Sequence, residues 1–337
     1  MKRLLLGVLA MMALLVGCTG GGEGETVTKI EPELRGSKVE GTLKVALLTP
    51  GNVNDSGWSA IANRGLEAIK KELGAETSQQ VTKDAAIKDA MRSYGQDGYH
   101  LVIGHGFEYN EPAVEVAKDF GKTIFVSSSG GGSSANAGAF RFYLEEGFYL
   151  AGMIAGKMSK TGKVAMIGGP DVPSIRSTFK AFEAGAKESN PAVVVITKFT
   201  GKNDDVAAAK QATLQAIDEG ADILIHQTNS AVTGFVSACE EKKVWAFGAN
   251  EDQNKLSKQI IASAVIAAEK PFVALAKRVQ EGTYKGGIEL AGMKDGAIDF
   301  VFNPESTLVV DPDVKKSVTA LMLAMSEEKF KAPKDEF

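Results

Sequence analysis

The sequence predicts an α/β protein of two Rossmann-like lobes, each built on a parallel sheet, joined by a hinge. Three observations predict it. Short aliphatic runs alternate with segments of helical spacing, the pattern of strands linked by crossover helices. Those runs are apolar nearly throughout, as befits strands covered on both faces. Finally, roughly three hundred residues follow the N-terminal segment, too many for one small core and enough for two domains of ordinary size.

The first seventeen residues stand outside that fold. Met1-Lys2-Arg3 precedes the apolar run Leu4 to Leu15, and Leu15-Val16-Gly17-Cys18 closes it. A basic start and a brief greasy core make a secretory signal, too short to span a bilayer comfortably. The Gly17-Cys18 ending resembles the lipobox of bacterial lipoproteins, which implies cleavage before an acylated Cys18. Each buried methylene contributes about 0.8 kcal/mol, so several acyl chains on one residue hold firmly to a membrane. Residues 18–41 read as a flexible tether, since Thr19 to Glu25 is glycine and polar residues with little apolar surface to bury. The protein is expected in the cell envelope, lipid-anchored on the extracytoplasmic side.

Folding is expected to begin near Leu43, with residues 42–159 forming the first lobe. Leu43 to Leu48 is its first strand. Trp58, Ile61, Ala62, Leu66, Ile69 and Leu73 then share one helical stripe, opposite Lys70, Lys71 and Glu72, and Gly74 ends it. Strands follow at His100 to Ile103, Thr123 to Val126 and Ala139 to Phe142. The Lys160 to Lys163 turn marks the passage to a second lobe over residues 160–268. Its strands are Val164 to Ile167, Val193 to Ile196, Ile223 to Ile225 and Val244 to Phe247, with helices over Ser174 to Glu188 and Asp204 to Asp218. Residues 269–337, including Phe272 to Gln280 and Ile298 to Phe302, return mostly to the first lobe.

Composition excludes several functions. A formal charge of −4 with dispersed lysines leaves no basic field for nucleic acid. Only Cys239 remains once Cys18 is modified, so no internal disulfide forms, and Cys239 reads as packing. His100, His105 and His226 have no second ligand at metal spacing, so neither metal nor cofactor is expected. No Gly-Lys-Ser/Thr follows Gly130-Gly131-Gly132, and no nucleophile elbow surrounds Ser127, Ser128 or Ser129.

Ligands of open parallel sheets sit outside the carboxyl ends of the strands, so the strand-end loops carry the function. After the first strand, Asn54 and Asp55 precede Trp58, placing polar groups and a flat ring beside unpaired helix N–H groups. Asn54 or Asp55 also fits as a plain helix cap. Phe107 and Glu108 repeat the pattern after the His100 to Ile103 strand, and Ser129 follows the next. In the second half the loops supply Pro173, Ile175 and Arg176, then Thr228 and Asn229, then Asn250. Arg176 fits equally well as a surface residue paired with an acid. These groups are mostly neutral and lack a nucleophile–base or acid–base pair, so they read as a binding site without catalysis.

The lipobox, Asn54 to Trp58, Phe140 to Gly152, Ile167-Gly168-Gly169 and Asn250 to Gln253 together resemble the basic membrane protein family, the PnrA-like solute-binding lipoproteins of ABC transporters. The resemblance spans the mature chain. It implies the type I periplasmic binding protein fold, a purine nucleoside or related ligand held between rings, and an ABC permease and ATPase as partners. Trp58 matches the family's first stacking aromatic, usually phenylalanine. Two positions depart. Asn250 replaces an aspartate and Ile266 a lysine, both near the sugar in nucleoside binders, so a nucleobase such as adenine, guanine or hypoxanthine is expected ahead of a nucleoside. The residues also leave open another solute, such as a riboflavin-like ring, a sugar or an amino acid. A surface adhesin or sensor lipoprotein, and an enzyme on the same scaffold, are further readings.

Overall fold

The computed structural model describes residues 37–54 and 57–335. The signal sequence, Cys18, nearly all of the tether and Asp55 lie outside the described residues. The first sheet contains β1 (Lys44–Thr49), β2 (Glu76–Val81), β3 (Leu101–Gly104), β4 (Ile124–Ser127) and β5 (Ala137–Phe142). Between them run helices α1 (Trp58–Leu73), α2 (Ala86–Gln96) and α3 (Asn110–Val116). The chain continues through α4 (Glu145–Met158), β6 (Lys163–Gly168), α5 (Pro173–Ser189), β7 (Val194–Phe199), α6 (Val206–Asp218), β8 (Ile223–Gln227) and α7 (Val232–Lys242). It ends with β9 (Trp245–Asn250), β10 (Ile260–Ile266), α8 (Glu269–Gln280), β11 (Gly287–Ala291), β12 (Ile298–Phe302) and α9 (Pro312–Ser326).

Two six-stranded sheets result, in the orders β11-β5-β4-β3-β1-β2 and β12-β10-β9-β8-β6-β7. Every pairing of the first is parallel. In the second, β12 alone runs antiparallel, against β10. This is the two-lobed α/β architecture expected.

Local chemistry accounts for the helices. The α1 stripe buries Ile61, Ala62, Leu66 and Ile69, and Gly74 closes the helix at φ +63°, a conformation that suits glycine. Asp205 caps α6 by accepting the Ala208 N–H at 2.9 Å. Cys239 is buried on α7 within an apolar cluster, and burial pushes its thiol pKa up.

The lobe assignments change in three places. The chain crosses at Tyr143–Leu144, ahead of the Lys160 turn, because α4 packs against α5. Glycines permit that approach: a Cβ on Gly152 would sit 2.1 Å from the Phe182 carbonyl oxygen, and one on Gly185 2.1 Å from that of Tyr149. The Ile298 to Phe302 segment joins the second sheet, where Phe300 and Ile298 pair with Ala264 and Ile266. The return is therefore divided, with α8 packed on α1 and α9 on α4. At the other end, Val39 already donates its N–H to the Gln280 carbonyl at 2.9 Å, ahead of the start expected near Leu43. Three segments join the sheets, β5 to α4, β10 to α8 and β11 to β12, the arrangement of a hinge.

Candidate functional site

The carboxyl ends of both sheets face a cavity of about 390 Å³, within the roughly 300–1,000 Å³ typical of small-molecule sites. Its first-lobe wall is organised by Trp58, which opens α1. The indole stacks on the ring of His105 with centroids 3.9 Å apart and planes 21° from parallel. Trp58 Nε1 donates to the His105 carbonyl at 3.1 Å, and His105 Nε2 donates to the Trp58 carbonyl at 2.8 Å. His105 is wholly buried and in turn meets Phe142 and Phe272 edge-on. The indole is thus fixed from behind while it lines the cavity.

Phe107, Glu108 and Ser129 line the same wall. Phe107 is 39% exposed, at the cleft mouth. Glu108 keeps solvent contact there, yet surrounding protein desolvates its carboxyl and raises its pKa. From the second lobe, Ile175, Asn229 and Asn250 complete the lining. Asn229 and Asn250 both adopt positive φ, +45° and +72°, a region asparagine tolerates better than most residues.

Other expected contacts are placed elsewhere. Asn54 is exposed and outside the cavity wall, its N–H donating to Asn52 Oδ1. Pro173 occupies the first turn of α5, where a missing N–H is harmless, and it does not line the cavity. Arg176 points to the surface and grips Asp171 with both arms, Nε to Oδ1 at 2.5 Å and Nη2 to Oδ2 at 2.7 Å. Thr228 is buried beneath the wall, where its hydroxyl and N–H reach His226 Nδ1 at 3.0 and 3.3 Å. Burial lowers the pKa of His226 to about 4, so the ring is neutral at pH 7. His226 Nε2 donates to Gln253 Oε1, which also accepts the Ala249 N–H, and this network braces the Asn250 turn.

The cavity also includes groups not singled out from sequence, namely Ser128, Arg141, Phe142, Glu145, Thr178 and Asn203. Arg141 ends β5 and Glu145 opens α4, both almost fully buried. Arg141 Nη2 donates to Glu145 Oε1 at 3.1 Å, and Ser177 Oγ donates to the same oxygen at 2.5 Å. Desolvation nevertheless raises the Glu145 pKa, with Ser177 and Arg141 opposing it. The Phe-Arg…Glu-Gly stretch is therefore where the wall and the inter-lobe crossing coincide.

The family described as ABC transporter substrate-binding protein, PnrA-like (Bmp), matches residues 42–334. The chain belongs to this family. Among relatives of the Bmp chain, a purine-binding protein of Brucella abortus is 29% identical over 264 residues, covering 77% of this chain and 75% of the relative. An ABC transporter nucleoside-binding protein, BmpA, of Lactococcus lactis is 27% identical over 333 residues, covering 91% and 92%. A crystal structure of a solute-binding protein from Aeropyrum pernix superposes with a TM-score of 0.75 at 20% identity, over 87% of this chain and 94% of that one, which supports the shared fold. As a Bmp-family substrate-binding protein, the chain works with a small-molecule ligand and with permease and ATPase subunits, outside the cytoplasm. No helix among the described residues is long and apolar enough to cross a membrane.

Proposed function

We propose that this Bmp-family protein is a lipid-anchored solute-binding protein, tethered through Cys18, that delivers a purine to its permease unaltered. The observation that carries the reading is the indole of Trp58, backed by His105 at 3.9 Å on the wall of a cavity whose other lining is amides, hydroxyls and apolar groups, with Glu108 and the mutually paired Arg141 and Glu145 as its charged members. A purine offers two flat faces for stacking and an edge of donors and acceptors for amides to read. Relatives named for purine and nucleoside binding favour the same class.

The neutral pair Asn250 and Ile266 suits a nucleobase such as adenine, guanine or hypoxanthine better than a nucleoside, since ribose hydroxyls left without partners are costly to bury. Asn229, on the cavity wall, also joins the lobes, since its Oδ1 accepts the Trp58 N–H at 2.7 Å. Calorimetric titration of the purified full-length chain with the three bases and their nucleosides tests the reading. Tighter binding of bases supports it, tighter binding of nucleosides reverses the order, and binding of a sugar, flavin or amino acid instead refutes it. Intact mass measurement of the membrane-extracted protein tests acylation of Cys18.

A further inference from the structure

Two residues that line the cavity each carry a buried side-chain atom without a hydrogen-bond partner, Ser128 Oγ and Asn250 Oδ1. Both residues are 4% exposed, so bulk water does not satisfy them. They belong to different lobes, Ser128 directly after β4 and Asn250 at the last position of β9. Their neighbours are well satisfied. Ser127 Oγ donates to the Ser129 carbonyl at 2.7 Å and accepts from Asn110 Nδ2 at 2.9 Å. Ser263 Oγ, on the adjoining strand, donates to Asn254 Oδ1 at 2.9 Å. A buried group without a partner is disfavoured and is retained where something else bonds it.

We propose that Ser128 and Asn250 are a specificity-determining pair, one from each lobe, that reads opposite sides of a heterocycle bearing a ring N–H. This rests on the purine reading above and narrows it. Asn250 Oδ1 only accepts, so it requires a donor from the ligand. Ile266, beside it on the cavity wall, offers no second polar contact, which suits a lone ring N–H better than a hydroxyl-rich sugar. Ser128 Oγ both donates and accepts, so it bonds a ring nitrogen, a carbonyl or an amine on the far side. Because the two atoms sit on separate lobes, a ligand satisfies both only when the cleft is closed around it. The pair therefore couples recognition to closure.

The left-handed backbone at Asn250, φ +72°, dictates the variant. Asn250→Ala strains that conformation, whereas Asn250→Gly deletes the amide and keeps the backbone relaxed. Ser128→Ala removes an unbonded hydroxyl, so the ligand-free protein keeps or gains thermal stability while affinity falls, a combination that a merely structural serine does not give.

The test is calorimetric titration of the full-length wild type, Ser128→Ala and Asn250→Gly with hypoxanthine, 9-methylhypoxanthine and 1-methylhypoxanthine. Each substitution is expected to weaken hypoxanthine binding about 10- to 100-fold. One of the two N-methyl probes is expected to lose affinity on the wild type but lose little more on Asn250→Gly, the non-additivity that marks a direct contact. If hypoxanthine binds the wild type and both variants within twofold, or the methyl and Gly effects simply add for both probes, the pair is overturned while the purine reading stands. If the wild type binds none of the three probes, nor adenine nor guanine, both fall together.

Discussion

The backbone N–H of Trp58 donates to Asn229 Oδ1 at 2.7 Å, so the residue that opens the first lobe's helix is held by a side chain of the second. A Cβ on the preceding Gly57 would lie 2.2 Å from that same oxygen. Arg64 adds a second bridge, from α1 to Glu251 at 2.8 Å, but exposed ion pairs contribute little. Gly57→Ala is expected to wedge the lobes apart. Ligand affinity should fall tenfold or more, with the unliganded melting temperature preserved and the liganded radius of gyration larger than in wild type. Unchanged affinity and scattering would show that the contact does not govern closure.

Trp58→Ala removes a ring that is half-buried and stacked on His105. Loss of one stacking platform weakens base binding by about 1–3 kcal/mol, roughly 5- to 150-fold. Incomplete burial keeps the stability loss below the 3–5 kcal/mol typical of fully buried aromatics. Calorimetry alongside urea unfolding separates the two, and a stability loss with intact affinity would make the indole a core residue only.

Arg176→Ala provides the contrast. The guanidinium is exposed and bound to Asp171 outside the cavity, so stability should barely change and ligand affinity should match wild type. A marked affinity loss would return Arg176 to the site.

Two buried groups give opposing pH dependence. Burial lowers His226 to about 4. Between that value and the ordinary histidine pKa near 6.5 the unfolded chain binds the extra proton, so stability falls as pH falls. Burial raises Glu146 to about 7, against the N–H it accepts from Met293. Its contribution is complete below about 4.5 and is lost as pH rises through 7. Each slope approaches about 1.4 kcal/mol per pH unit, so they offset between about pH 4.5 and 6.5. Glu108 and Glu145, also raised, reinforce the Glu146 direction. Glu146→Gln should therefore expose the histidine slope: urea midpoints at pH 8, 6 and 5 should show the variant losing stability relative to wild type as the medium is acidified. Parallel profiles would refute the assignment.

Sequence reading reached the fold where local signals are strong. The α1 stripe with Gly74, the capping Asp205 and the apolar central strands each carry their own evidence of structure. It did not reach β2, whose sequence Glu76 to Val81 is mostly polar because the strand lies at the sheet edge and is partly exposed. Nor did it place Ile298 to Phe302, since an apolar strand does not state which of two sheets it joins. Within the site, Trp58, Phe107, Glu108 and Asn250 were legible as unusual side chains on strand-end loops. Ser128, Arg141 and Glu145 were not, because a buried polar group beside a strand looks in sequence like any other. Arg141 and Glu145 four residues apart, where a strand turns into a helix, were the available sign. Thr228 misled because its position on a loop is visible, whereas its bond to His226 depends on packing.

The chain has two tryptophans, and Trp245 lies apart from the cavity wall, bonded to Thr307 and covered by Lys160. In a Trp245→Phe background the emission therefore reports Trp58 alone. Titration with hypoxanthine is predicted to quench that emission saturably, with a dissociation constant equal to the calorimetric one. Calorimetric binding without any change in Trp58 emission would contradict stacking at this ring.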